Sequence, residues 1–320
     1  MTDRRIKMKK YVFGVDIGGT TVKIGLFTSE GELLEKWEIT TRVDGGGKHI
    51  LGDIARAIEA KIEEKKIDKA DVAGIGMGVP GPVKNDGTVL KCVNLGWGIF
   101  NVAEEMKERT GLEVKVGNDA NMAAFGEMWQ GGGKGYKDLV MVTLGTGVGG
   151  GIIVDGKMLS GVNGAGGEIG HIQVNDHETE VCGCGRCGCL EQYTSATGIV
   201  RMANIKLNNT DAPSSLRNAK YISSKAIFDA AKDGDELAAG LVEEHGKILG
   251  KSLAQIACVV DPDIFVIGGG VSKAGSIIID KVSKYFQEYA FHACKKTQFA
   301  LATLGNDAGI YGGAFAILNE

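Results

Sequence analysis

The sequence predicts an α/β fold built from a duplicated unit. Three observations carry that prediction. Short apolar runs alternate with segments of helical spacing along the whole chain. Two of those runs, starting near residues 11 and 139, end in a glycine turn and reverse into a second strand. The 50 glycines in 320 residues far exceed the usual share of roughly 7%. They cluster in turns, which marks places where backbone comes close to a ligand.

Taken in order, residues 11–16 read as a buried strand and 23–28 as its partner, in a hairpin around Gly18-Gly19-Thr20-Thr21. Residues 49–65 carry helical spacing, with Ile50, Ile54, Ala57, Ile58 and Ile62 on one face. A second buried strand over 72–79 stops at the turn Val79-Pro80-Gly81-Pro82. A helix over 100–110 closes at Gly111, and a short strand at 114–116 runs into Gly117-Asn118-Asp119 before a helix over 121–129. The pattern then restarts with a strand at 139–144, a glycine turn at 145–151 and a return strand at 152–155. Residues 224–260 read as two helices broken near Gly234. A strand over 263–267 ends in Gly268-Gly269-Gly270-Val271-Ser272, and helices at 274–289 and 308–318 flank a strand at 299–304. No linker separates the halves, so the division is placed near residue 120.

A net charge of −4 leaves no electrostatic footprint for nucleic acid. The basic run Arg4-Arg5-Ile6-Lys7-Met8-Lys9-Lys10 reads as a frayed start. No apolar stretch reaches the roughly 20 residues of a membrane helix, and no signal peptide precedes the first strand. The expected compartment is the cytoplasm. Seven cysteines in that setting favour metal-bound thiolates over disulfides.

Four of the cysteines fall in eight residues, Cys182, Cys184, Cys187 and Cys189, with His171 eleven positions upstream. One imidazole and three thiolates make a tetrahedral zinc site; any three of the four thiols can complete it. No open coordination position remains, so the zinc is structural. The second ring nitrogen of a ligating histidine normally donates to a neighbour, and here a substrate hydroxyl can accept. Glu168 and Glu191 either point into that same pocket, as suits a polyhydroxylated neutral molecule, or are simply solvated.

The run from Gly145 to Gly151 contains G-x-G-x-x-G, but the strand-like Ile152-Ile153-Val154 follows where the dinucleotide fingerprint needs a helix. What remains is a turn whose amides can wrap phosphate oxygens. Asp16 ends a buried strand, where an unpaired carboxylate is costly. Mg²⁺ would compensate it, directly or through water; a solvated carboxylate in a capped turn is the alternative. Asp119 sits between a strand and a helix. It is either an N-cap or a general base, with Asn118 fixing the substrate.

Taken together, these residues resemble the ROK sugar kinases of the actin/hexokinase-like superfamily, over about residues 11–318. The resemblance rests on Val15-Asp16-Ile17-Gly18-Gly19-Thr20-Thr21, Gly117-Asn118-Asp119-Ala120-Asn121, the run Leu144 to Gly151, Gly166-Gly167-Glu168-Ile169-Gly170-His171, the run Cys182 to Glu191, and Gly268 to Ser272. It looks most like the bacterial glucokinases of that family in Cys189-Leu190-Glu191 and the run Ser195 to Arg201.

The resemblance implies a duplicated actin-like (RNase H-like) ATPase fold, with two lobes and an interlobe cleft. Residues 1–119 and about 305–320 would form the small lobe, and 120–304 the larger, zinc-bound one. It implies ATP-dependent phosphorylation of glucose at the 6-hydroxyl, with Asp119 as base. Asn118, Glu168, His171 and Glu191 would hold the sugar, near Gly81. Asp16, Gly18, Gly19, Thr20, Thr21, Lys23, Gly145, Thr146, Gly147, Gly149 and Gly150 would cradle phosphates and Mg²⁺. Gly268, Gly269, Gly270 and Val271 would lie against the nucleoside. The zinc set becomes His171, Cys182, Cys184 and Cys189, with Cys187 as rival, and the assembly a homodimer or homotetramer. Another hexose or an N-acetylhexosamine is the alternative acceptor. A sugar-responsive repressor is disfavoured, because about ten residues before the first strand are too few for a helix-turn-helix. A non-catalytic sensor is disfavoured because it would need no base.

Overall fold

A computed structural model describes residues 9–319, so most of the basic run at 4–10 lies outside the described residues. The chain divides into two compact units. The first holds the described residues up to Gly135, then Met158–Gly166, and those from Asn306 onward. The second holds Tyr136–Lys157 and Gly167–Gly305.

The first unit opens with β1 (Tyr11–Ile17), β2 (Thr21–Thr28), β3 (Leu33–Thr40), α1 (Ile50–Glu64) and β4 (Val72–Val79). There follow β5 (Thr88–Val89), β6 (Phe100–Asn101), α2 (Val102–Thr110), β7 (Val114–Asn118) and α3 (Asp119–Gln130). The main sheet runs β3-β2-β1-β4-β7. β1, β2 and β3 pair antiparallel; β4 and β7 add in parallel. Strands covered on both faces read as near-continuous apolar runs, as β1 and β4 do. β3 instead alternates half-buried and exposed positions, as befits an edge strand. Helix α2 begins two residues later than its spacing suggests. The Asn101 side chain accepts the Glu104 amide as N-cap, which leaves Phe100 to a short strand; Gly111, at φ 64°, closes the helix.

The second unit repeats the plan with β8 (Leu139–Leu144), β9 (Val148–Val154) and β10 (Lys157–Met158). Next come α4 (Glu191–Thr194), α5 (Ala196–Asn208), α6 (Ser224–Lys232), α7 (Glu236–Val260), β11 (Ile264–Gly268), α8 (Ser276–Tyr289) and β12 (Gln298–Leu301). Its sheet order, β10-β9-β8-β11-β12, matches the first sheet strand for strand. Again a hairpin is followed by two parallel additions. The break between α6 and α7 falls at Gly234, with φ 89°, and Asp235 caps α7 through the Ala238 amide.

The last helix, α9 (Ala308–Leu318), belongs to the first unit and packs on β1, β4 and α3. Glycines let backbone touch backbone there. A Cβ on Gly14 would sit 1.8 Å from the Ile310 carbonyl oxygen, one on Gly76 1.7 Å from that of Gly313, and one on Gly312 1.6 Å from that of Met122. Because α3 is clamped by α9, the first unit runs to Gly135, beyond the division expected near residue 120.

Candidate active site

In the first unit the candidate residues gather at the carboxyl ends of β1, β4 and β7, where ligands sit in sheets of this kind. Asp16 pairs across the hairpin with Lys23, whose Nζ donates to the Asn306 carbonyl at 2.8 Å. The exposed turn between them is set by the Gly18 amide donating to the Thr21 carbonyl (2.9 Å) and by Thr41 Oγ1 donating to that of Gly18 (2.7 Å). Burial, then the charge of Asp119, pushes the Asp16 carboxyl up to about 6, partly countered by Lys23. Helix α9 presses on this carboxyl, since a Cβ on Gly309 would lie 2.9 Å from Asp16 Oδ2. A half-buried carboxylate beside a second acidic group favours a compensating cation, and Asp16 is the residue here that could hold a divalent one.

Asn118 is the N-cap of α3. Its Oδ1 accepts from the amides of Ala120 (3.0 Å) and Asn121 (3.3 Å), while Nδ2 donates to the Gly81 carbonyl at 3.1 Å. Capping therefore falls to Asn118. Asp119 occupies the first helical position, exposed, with Oδ1 2.8 Å from the Ala120 amide. Gly81, at φ 94°, must be glycine: a Cβ would sit 2.6 Å from the Lys91 carbonyl oxygen. Gly81, Asn118 and Asp119 thus form one group.

In the second unit the phosphate-sized turn is shorter than expected. It consists of Gly145, Thr146 and Gly147, closed by the Gly145 amide on the Gly147 carbonyl at 3.0 Å. Gly149 and Gly150, read from sequence as part of the turn, are strand residues of β9. At Gly150 smallness serves packing: a Cβ there would lie 2.6 Å from the Gly167 carbonyl oxygen, and one on Gly170 2.1 Å from that of Val148. The short 3₁₀ turn Ile169–His171 therefore lies flat on β9, which sets Glu168 and His171 in place. Glu191 starts α4, and its Oε2 is 3.4 Å from the Val148 amide. His171 Nδ1 is 3.7 Å from Glu191 Oε1, and Nε2 is 3.9 Å from Glu168 Oε2. The histidine and both glutamates converge.

The ligand atoms of His171, Cys182, Cys184 and Cys189 all lie within 4.8 Å of one another. Cys184 and Cys189 sulfurs are 3.5 Å apart, and Cys182 Sγ is 3.8 Å from His171 Nδ1. A tetrahedron with Zn–S bonds of about 2.3 Å spaces its sulfurs by roughly 3.8 Å, so the set fits zinc. Cys187 stands outside it, its Sγ 3.8 Å from the Thr179 carbonyl oxygen. The Arg186 amide draws the Cys184 thiol down to about 6, toward the thiolate a metal requires, while burial pushes Cys182 up to about 12 and raises Cys189, so those two must give up protons as metal binds. Cys182 Sγ also lies 2.9 Å from Glu191 Oε1, so the metal cluster abuts the glutamate pair.

Gly268 ends β11, and Gly269 turns at φ 83° against the Leu144 backbone, where a Cβ would come within 2.6 Å. The segment from Gly268 to Val271 thus lies beside the Gly145 turn; Val271 puts its side chain into the core. Sequence reasoning missed what holds that turn. The Ala196 amide donates to the Gly145 carbonyl at 2.8 Å, and Thr197 Oγ1 to that of Thr146 at 2.7 Å. The signal was present: Ser195 is an N-cap whose Oγ accepts the Gly198 amide.

Comparison with known proteins gives a consistent picture. The model of the ROK family matches residues 12–320. A glucokinase of Halalkalibacterium halodurans is 42% identical over 97% of this chain and 96% of its own length. A glucokinase of Thermotoga maritima is 34% identical over 97% and 98%. Among solved structures, a ROK family glucokinase from Streptomyces griseus in complex with glucose and AMPPNP superposes with a TM-score of 0.73 at 35% identity, covering 95% of this chain and 98% of that one.

Proposed function

The chain belongs to the ROK family, and from that premise we propose that it transfers the γ-phosphoryl group of ATP to the 6-hydroxyl of glucose. The observation that carries the reading is the end-to-end similarity to glucokinases, at 42% identity with one of them.

The reading assigns the sugar to Asn118, Asp119, Glu168, His171 and Glu191. Asp119 accepts the 6-hydroxyl proton as that oxygen bonds to the γ-phosphorus and the bond to the β-phosphate oxygen breaks, releasing ADP. Such a reaction asks for position and charge stabilisation more than covalent chemistry. Amides of the Gly18–Thr21 and Gly145–Gly147 turns receive phosphate oxygens, Lys23 adds charge, and Gly268–Val271 backs the nucleoside. Asp16 would hold Mg²⁺, directly or through water, and the ion would neutralise charge on the polyphosphate. Zinc at His171, Cys182, Cys184 and Cys189 supplies folding energy to the loop that carries Glu191. The His171 ring nitrogen that faces Glu168 is the one left to meet a sugar hydroxyl. A cytoplasmic homodimer or homotetramer completes the reading, and light scattering measures the assembly.

The test is a coupled ADP-release assay with Mg·ATP against hexoses and N-acetylhexosamines. Glucose is expected to lead in kcat/KM. An N-acetylhexosamine in the lead would move the acceptor, and no turnover with any sugar by zinc-loaded protein would remove the kinase reading.

A further inference from the structure

The segment that brings the three cysteine ligands together is irregular, tied to itself by the isolated bridges of Gln173 with Cys189 and Val181 with Cys187 and by turn bonds such as the Val174 amide on the Gly188 carbonyl and the Cys182 amide on the Arg186 carbonyl, both 2.7 Å. Ordering such a loop costs backbone entropy of about 1–2 kcal/mol per residue, so contacts that anchor it to a regular element matter. Arg201, on α5, reaches it twice. Its Nε donates to Glu180 Oε2 at 2.6 Å, and Nη2 to Glu178 Oε2 at 2.5 Å.

The contact is embedded in a network. Tyr193 Oη donates to the same Glu178 oxygen at 2.6 Å and receives Asn175 Nδ2 at 2.8 Å. The Arg201 guanidinium lies 5.7 Å from the centre of the Tyr193 ring. Gln192 accepts the Cys189 amide at 3.0 Å and donates to the Glu180 carbonyl at 2.9 Å. The Arg201 and Glu178 side chains are 19% and 10% exposed, so solvent does not dilute the pair as it does on an open surface. Burial opposes ionisation of Glu178, but hydrogen bonds from Tyr193, the Glu180 amide and Arg201 outweigh it and hold the carboxyl at about 2. The helix that carries Arg201 is also the one whose first turn holds Gly145 and Thr146.

We propose that Arg201 is a positioning residue: by tying Glu178 and Glu180 to α5 it holds the metal-bearing loop closed, and with it Glu191. The sugar half of this inference rests on the kinase reading; the metal half does not.

Zinc transfer to a colorimetric chelator and steady-state kinetics test it on the zinc-loaded enzyme. Arg201→Ala is expected to speed zinc release and raise the glucose KM, each by about 10–100-fold, the effect typical of losing a group that supports metal ligands, with ATP KM and kcat within about threefold. Arg201→Lys can satisfy only one of the two glutamates and should fall between. Glu178→Gln, which keeps the Tyr193 hydrogen bond, should shift both readouts in the same direction by less, and serves where the alanine variant does not fold. Zinc release and glucose KM within about twofold of wild type in a folded Arg201→Ala protein would overturn the role. So would a lysine variant no better than alanine. A wild type that holds zinc but does not phosphorylate glucose would sink the kinase reading, and the zinc-release comparison would still decide the place of Arg201.

Discussion

The two glycine hairpins, β1–β2 and β8–β9, occupy the same place in sheets of the same strand order, yet they are equipped differently. β1 delivers Asp16 to its turn, with Asp119 close enough to perturb it. β8 ends in the fully buried Leu144, and the carboxylate at its turn, Glu191, arrives from α4 instead. The next strand of each sheet ends alike, in a left-handed glycine pressed on backbone: Gly81 on the Lys91 carbonyl, Gly269 on Leu144. Both turns expose backbone of the kind that can receive phosphate oxygens. On the proposed reading the work divides, with charge and proton chemistry in the first unit, metal and sugar hydroxyls in the second.

The largest expected effect breaks that division on the metal side. Removing zinc from reduced protein should abolish glucose binding and lower the melting temperature together, because metal binding is folding energy for the loop. Titration calorimetry on protein verified to be zinc-free checks this. Retained glucose affinity would mean that the second unit holds sugar without its metal.

The next prediction sharpens the difference between Asp16 and Leu144. The Asp16 carboxyl sits at about 6 against an ordinary 3.8. The native state therefore holds this proton more tightly than the unfolded chain, and stability is lost as pH rises from about 4 through 6. The shift corresponds to something of the order of 3 kcal/mol. Without Mg²⁺, Asp16→Asn should melt higher than wild type at pH 7, with the gap closing near pH 4. Equal melting temperatures at both pH values would remove the buried charge from the account.

Packing glycines give the smallest effects, of opposite sign in the two units. Gly312→Ala drives a methyl into the Met122 carbonyl and should cost about 1–3 kcal/mol in urea unfolding. Gly240 lies exposed within α7 with nothing near its missing Cβ, so Gly240→Ala should stabilise by up to about 1 kcal/mol.

Much of this was legible in the sequence, because the informative residues are ones whose spacing has a single physical meaning. The apolar runs, the break at Gly234 and the paired hairpins follow from periodicity and glycine. His171 with three of the four cysteines follows from ligand chemistry; the family resemblance singled out Cys182, Cys184 and Cys189, and the fold sets Cys187 apart, toward Thr179. Gly149 and Gly150 were read as turn residues because a glycine run looks the same in sequence whether it stays in the turn or continues into the strand. β3 was missed because its outward positions carry charge, and α5 because its buried face is only a few residues wide. Arg201, Thr197 and Gly309 act through partners distant in sequence, and no local pattern announces such contacts.

The most direct test of the division compares Asp119→Ala with Glu191→Gln, measuring glucose affinity by calorimetry and kcat by ADP release. Loss of a positioned base costs about 10²–10⁴-fold in rate, so Asp119→Ala should lose that much kcat while binding glucose within a few fold of wild type, and Glu191→Gln should lose glucose binding first. Full turnover by Asp119→Ala, or unaltered glucose affinity in Glu191→Gln, would contradict the account.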